Sequence, residues 1–179
     1  MQTRGAILRK APGKYEVVDG LELDDPRPGE LQVKMVASGL CHSDDHIATG
    51  DIPAGIYPMA GGHEGAGIVT KVGANTPGYE EGDHVVFSFL PSCGHCRWCA
   101  SGQQNLCDLG ATLLTGARWG DPNDYRVHLA DGGDPVGQMC GISTFLQVTT
   151  ASADSAVKIP DDIPLDKACR AAASSSSLP

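Results

Sequence analysis

Four cysteines, Cys93, Cys96, Cys99 and Cys107, follow one another as C-x2-C-x2-C-x7-C. Thiols three residues apart can face one tetrahedral cation at a zinc–sulfur distance of about 2.3 Å, and four thiolates fill every position on it. The run therefore reads as a closed, structural zinc site with no position left for a substrate. Iron–sulfur clusters use thiolates at similar spacing, but a ferredoxin-type run ends in Cys-Pro, and here Asp108 follows Cys107. Gly94 and Gly102 supply turns between the thiols. His95 lies inside the run, but with the tetrahedron full it is expected at the surface, and Trp98 is expected to pack under the lobe.

A second concentration of metal-ligating and proton-moving groups occurs in two stretches, Gly39-Leu-Cys-His-Ser-Asp-Asp-His46 and Gly61-Gly-His-Glu-Gly-Ala-Gly67. Alone, each is weak. Cys41 reads equally as a small buried hydrophobe, and His63 as a hydrogen-bonded core histidine.

Short segments of strand character must position these groups: 5–8, 15–23, 31–36, 67–72, 84–89, 125–129 and 145–149, most of them bounded by Gly, Pro or Asp. In 30–36, Leu31, Val33 and Met35 alternate with Glu30, Gln32 and Lys34, the period of a half-buried strand. Such a pattern predicts a mainly β fold, a small, partly open barrel with few short helices. Helix signals are few before Asp161-Asp162-Ile163-Pro164, where an acidic cap and a first-turn proline predict a helix start. No repeat of solenoid or propeller period is present.

With 41% hydrophobic and 20% charged residues, the 179-residue chain has an ordinary globular composition. Its formal net charge of −9 offers no basic stripe for nucleic acid or an anionic membrane. Residues 1–10 lack the apolar core of a secretory signal, and no apolar run approaches the roughly 20 residues of a membrane span. A cytoplasmic location follows as the expectation, and in that reducing compartment seven cysteines, four of them clustered, serve metal rather than disulfides.

Taken together, Cys41-x-Ser43-Asp44-x-His46, Gly62-His63-Glu64 and the four-cysteine run resemble, in that order, the zinc-containing medium-chain alcohol dehydrogenases. The resemblance spans about residues 5–169, and the wording at 50–53, 61–72 and 92–110 is similar to bacterial nitrosodimethylaniline-dependent members. It implies a GroES-like barrel over 1–160 with a zinc lobe at about 90–116, and residues 161–169 opening the helix towards a Rossmann domain. No G-x-G-x-x-G follows a strand here, so the phosphate-cradling turn for NAD is not in this sequence. The low-complexity end, 170–179, reads as a non-native tail. The expectation is a catalytic-domain fragment with negligible activity of its own, from a parent that is a homo-oligomer acting on small alcohols and aldehydes with NAD.

By the same resemblance, Cys41 and His63 are ligands of a catalytic zinc, Asp44 orients His63, and Glu64 lies close behind the metal. Ser43 takes the alcohol proton and passes it through coenzyme ribose to His46, His42 meets the coenzyme pyrophosphate, and Phe89 is a pocket wall. Asp44, Asp45 and His42 read alternatively as a solvated loop edge, and Phe89 as ordinary core. One position departs from the family: four residues beyond Cys169, where a third zinc-ligating cysteine is expected, stands Ala173, so one structural zinc is expected and a catalytic zinc weakly held or absent. Two other readings stay open, a stand-alone zinc-binding GroES-like module with a structural or binding role, and a zinc-dependent polyol dehydrogenase.

Overall fold

The computed structural model describes residues 1–130 and 133–170. Ten strands lie among them: β1 (Gln2–Leu8), β2 (Tyr15–Leu23), β3 (Glu30–Ser38), β4 (Met59–Ala60), β5 (Gly65–Val72), β6 (His84–Phe87), β7 (Val127–His128), β8 (Pro135–Gln138), β9 (Val148–Ser152) and β10 (Ala156–Ile159). β1, β2, β7, β8 and β4 close into a ring, antiparallel except where β4 meets β8. The second sheet runs β10-β6-β5-β3-β9 and is antiparallel throughout. The mainly β, barrel-like architecture expected from the turn-rich sequence is present. The strands β4, β8 and β10 lie outside the segments that the sequence marks as strands.

Besides a small core of Ala66, Val86, Leu165, Ala168 and Cys169, buried side chains gather in two main cores. Ile7, Leu21, Leu23, Val127, Val136 and Leu146 form one, and Leu8, Leu31, Val33, Val69, Val85 and Phe87 belong to the larger. Each such side chain, fully buried, contributes about 1.5–3 kcal/mol.

The expected half-buried alternation of β3 holds only at its far end. Glu30 and Gln32 are buried together with Leu31 and Val33, and exposure starts at Lys34. β3 is covered along both edges by β5 and β9, and its glutamate is paired. Glu30 Oε1 accepts from Arg126 Nε at 2.7 Å and lies 3.3 Å from Arg118 Nε, and Oε2 accepts from the Arg27 amide at 2.9 Å. A carboxylate among buried guanidiniums can occupy an inward position that sequence period assigns to solvent.

Among the described residues three short α-helices interrupt the sheets: α1 (His42–Thr49), α2 (Arg97–Ala100) and α3 (Leu165–Ala168). α3 starts immediately after Pro164, close to the expected start. α1 has no apolar period to announce it; only Ile47 and Ala48 of its apolar residues are buried. Its ends are set by local chemistry instead. The Cys41 amide donates to Asp44 Oδ2 at 3.0 Å, Asp44 and Asp45 offset the dipole of the first turn, and Gly50 caps the end at φ 90°. No helix among the described residues is long and apolar enough to cross a membrane. Ala173 and residues 171–179 lie outside the described residues.

Candidate metal centres

In the four-cysteine lobe, the Sγ atoms of Cys93, Cys96, Cys99 and Cys107 all lie within 4.8 Å of one another, with 4.0 Å between those of Cys93 and Cys99. A tetrahedron with metal–sulfur distances of about 2.3 Å has edges of about 3.8 Å, so the sulfurs need only a slight contraction. Backbone amides already point at them. The Cys93 amide donates to the Cys107 sulfur at 3.5 Å, that of Cys96 to Cys93 at 3.4 Å, and that of Cys99 to Cys96 at 3.5 Å. Amides of Cys99 and Asp108 bring the Cys96 thiol down to about 6, whereas burial pushes Cys107 up to about 11. A soft divalent cation is what such a set can hold, and zinc fits it. His95 is exposed, its Nδ1 2.8 Å from the Cys93 carbonyl, and takes no part. Trp98 is half-buried, with the Arg97 guanidinium stacked 4.4 Å from its ring centroid.

The second group is assembled from the start of α1 and the loop before β5. Cys41, His63 and Glu64 each offer a ligand atom within 4.8 Å of the others. Asp44, buried, ties the two segments together: Oδ2 accepts from the Cys41 amide, and Oδ1 accepts from the Gly62 amide at 3.2 Å and lies 3.4 Å from His63 Nδ1. At that distance Nδ1 is not well hydrogen-bonded and has no other partner. Since Nδ1 faces Asp44, Nε2 is the nitrogen left for a metal. Burial disfavours the charged ring of His63, but Asp44 and the Cys41 thiol outweigh it and hold His63 above its ordinary value. The Ser43 amide holds the Cys41 thiol below its own, against burial. Gly39 leaves room for the glutamate: a Cβ there would stand 2.3 Å from Glu64 Oε2.

These groups form one end of a cavity of about 520 Å³. Ser43 and Phe89 line it, and Phe89 meets the His63 ring edge-on at 5.9 Å between centroids. Ile47, Ile52, Leu113, Leu114, Met139 and Cys140 supply most of the remaining wall. Cys140 sits at φ 52°, and burial pushes its thiol up to about 12, so it remains a neutral wall group. A larger cavity, about 620 Å³ between Tyr79 and Asn105, contains none of the metal donors, so chemistry rather than size selects the site.

The alcohol dehydrogenase GroES-like domain family matches residues 27–161. The chain belongs to that family. It is 46% identical over 169 residues to the NDMA-dependent alcohol dehydrogenase of Amycolatopsis methanolica, covering 94% of this chain and 44% of that protein. Among solved structures, an alcohol dehydrogenase zinc-binding domain protein from Burkholderia ambifaria superposes with a TM-score of 0.83 at 31% identity, covering 92% of this chain and 44% of that one. Benzyl alcohol dehydrogenase from Acinetobacter calcoaceticus gives 0.83 at 26% identity, covering 96% and 45%. The chain thus spans less than half the length of the relatives it matches.

Within this GroES-like domain the structure brings together Cys41, Ser43, Asp44, His63, Glu64 and Phe89. It leaves His42 and His46 on the exposed side of α1. Their rings stack at 4.5 Å, His42 Nε2 lies 3.6 Å from Asp45, and His46 Nδ1 lies 3.1 Å from Asp51. Sequence reasoning missed Leu113, Leu114, Met139 and Cys140, which reach the cavity from segments far along the chain. Only the left-handed run at Cys140, Gly141 and Ser143 sets the last of these apart, and nothing in the residue types announces it.

Proposed function

We propose that residues 1–160 are the zinc-carrying domain of a cytoplasmic, NAD-dependent alcohol dehydrogenase that interconverts alcohols with aldehydes or ketones. The single observation that carries this is the convergence of Cys41, His63 and Glu64 at one end of an otherwise apolar cavity. A zinc ion held there would act as a Lewis acid and lower the pKa of an alcohol hydroxyl. Glu64 would serve as third ligand in place of the cysteine that Ala173 replaces, giving a weaker site than the lobe. Asp44 is a positioning residue: it fixes the Cys41 segment to the Gly62–His63 turn and orients the imidazole. Ser43, 3.7 Å from the Cys41 sulfur, would accept the alcohol proton while passing its own to the coenzyme ribose, and His46, beside Asp51, would take it from there and release it at the surface. His42 contacts the coenzyme pyrophosphate. Phe89 and the apolar wall exclude water and hold the carbon chain.

The relatives are more than twice as long as this chain, and the coenzyme is read as binding outside the GroES-like domain. Without it the near-attack geometry for hydride transfer, worth about 7–11 kcal/mol in well-oriented systems, is not assembled. Steady-state turnover of a primary alcohol with NAD+ by these 179 residues alone is therefore expected to be negligible, while a cobalt-substituted sample should change its visible d–d absorption on adding the alcohol, and Cys41→Ser should abolish that change. An alcohol response that persists in Cys41→Ser would remove the site from the reaction. Turnover that vanishes in the same variant would show that the coenzyme is bound within this chain.

A further inference from the structure

We infer that Thr144, seconded by Ser38, is a positioning residue that aims His63 and Glu64 into the cavity. Thr144 belongs to a largely buried strap, residues 139–146, whose first two residues reach the cavity wall. The backbone carbonyls on either side of His63 are both bound by this one residue. Its amide donates to the Gly62 carbonyl at 3.0 Å, and its hydroxyl donates to the Glu64 carbonyl at 2.9 Å. Its neighbours grip the same loop: the Ser143 hydroxyl donates to the Ala60 carbonyl at 2.7 Å, and the Phe145 amide to that of Gly61 at 3.1 Å. The Glu64 carbonyl also receives the Gly39 amide at 3.0 Å and the Ser38 hydroxyl at 2.9 Å, and the hydroxyls of Ser38 and Thr144 lie 2.8 Å apart.

The strap approaches closely enough to dictate residue type. A Cβ at Gly62, where φ is 88°, would stand 2.6 Å from Thr144 Oγ1, and one at Gly65 would stand 2.7 Å from Thr144 Cγ2. Only glycine fits there. Ser143 takes φ 47°, a left-handed conformation uncommon for serine, of the kind that persists where the surroundings enforce it and that gathers near functional sites. Thr144, 2% exposed, acts through the backbone. It fixes the peptide planes before and after His63, and those planes set where the imidazole Nε2 and the Glu64 carboxylate point. Asp44 orients the ring at Nδ1, whereas Thr144 fixes the main chain that carries it. Outer groups that orient ligands in this way govern metal affinity. The inference rests on the reading of Cys41, His63 and Glu64 as a metal centre.

The test is the affinity of the 179-residue chain for zinc by chelator competition, with the visible d–d absorption of the cobalt-substituted protein as a second readout. Thr144→Val keeps the branched shape and the amide but removes the hydroxyl. It should weaken the second zinc equivalent about 10-fold, the lower end for loss of a group that orients a ligand, and shift the cobalt spectrum, while the lobe equivalent is unchanged. Thr144→Ser returns the hydroxyl and should restore both. Ser38→Ala, at an exposed position that does not endanger folding, should weaken the same equivalent by a smaller factor. Thr76→Val removes another buried hydroxyl, bonded to the Gly73 carbonyl at 2.7 Å, and should move neither readout. Wild-type affinity in Thr144→Val, no rescue by serine, or an equal loss in Thr76→Val would overturn the positioning role. Should Thr144→Val not fold, an unchanged second equivalent in Ser38→Ala would overturn it. A second equivalent that survives Cys41→Ser would instead overturn the metal centre on which the inference rests.

Discussion

Replacing Cys99 by serine is expected to release the lobe metal and unfold the stretch from about residue 90 to 110, leaving both sheets in place. Cys99 is buried and sits 4.0 Å from the Cys93 sulfur and 3.7 Å from the Ser92 hydroxyl. Serine preserves the size but not the soft, ionised donor. Structural zinc in small thiolate sites is worth about 10–16 kcal/mol of folding free energy at neutral pH, so loss of one ligand in four is expected to lower affinity by several orders of magnitude. The lobe has little else to hold it: its helix α2 is one turn long, and the 3-10 segments Gln104–Leu106 and Asp108–Thr112 bury no side chain. Elemental analysis after gel filtration and limited proteolysis of residues 90–110 read the two effects separately. Unchanged metal content with unchanged protease sensitivity would remove the structural role of the lobe.

The second large effect is expected at Glu30→Gln. The carboxylate faces the nearly fully buried Arg126 and the buried Arg118, while Gln138 Oε1 gives Arg126 only one further acceptor, at 3.3 Å. The amide keeps the volume and one oxygen but removes the charge, leaving Arg126 without a counter-ion and Arg118 with only Asp24 and Asp124. Breaking a buried pair in this way costs about 3–5 kcal/mol. Equilibrium unfolding in urea should show a lower midpoint with an unchanged slope. Arg126→Met added to Glu30→Gln should recover part of the loss, because an apolar side chain leaves no uncompensated charge. A loss below about 1 kcal/mol would mean that Asp24 and Asp124, which also approach Arg118, already satisfy the cluster.

How much of this was legible in the sequence follows from how local each feature is. The lobe was readable because four donors lie within fifteen residues and the spacing itself encodes a tetrahedron. The strands 15–23 and 67–72 were readable because turn residues bound them. α1 was not, since its stability comes from the Cys41 to Asp44 cap and from Ile47 and Ala48 packing on the core rather than from an amphipathic stripe. Burial of Glu30 depends on Arg118 and Arg126, nearly a hundred residues away, and no strand period contains that information. The second metal group was half legible: Cys41 and His63 were recognised by motif order, but the cavity wall at Leu113, Leu114 and Met139 exists only once the chain has folded.

Zinc stoichiometry tests the central claim most directly. Wild-type protein equilibrated with zinc and then measured by elemental analysis against a graded chelator should hold two equivalents, one tight and one weak. Cys41→Ser should lose the weak equivalent alone, and Cys99→Ser the tight one. A single class of sites in the wild type, iron in place of zinc, or a Cys41→Ser variant that still binds two equivalents would contradict the assignment of Cys41, His63 and Glu64 as a metal centre.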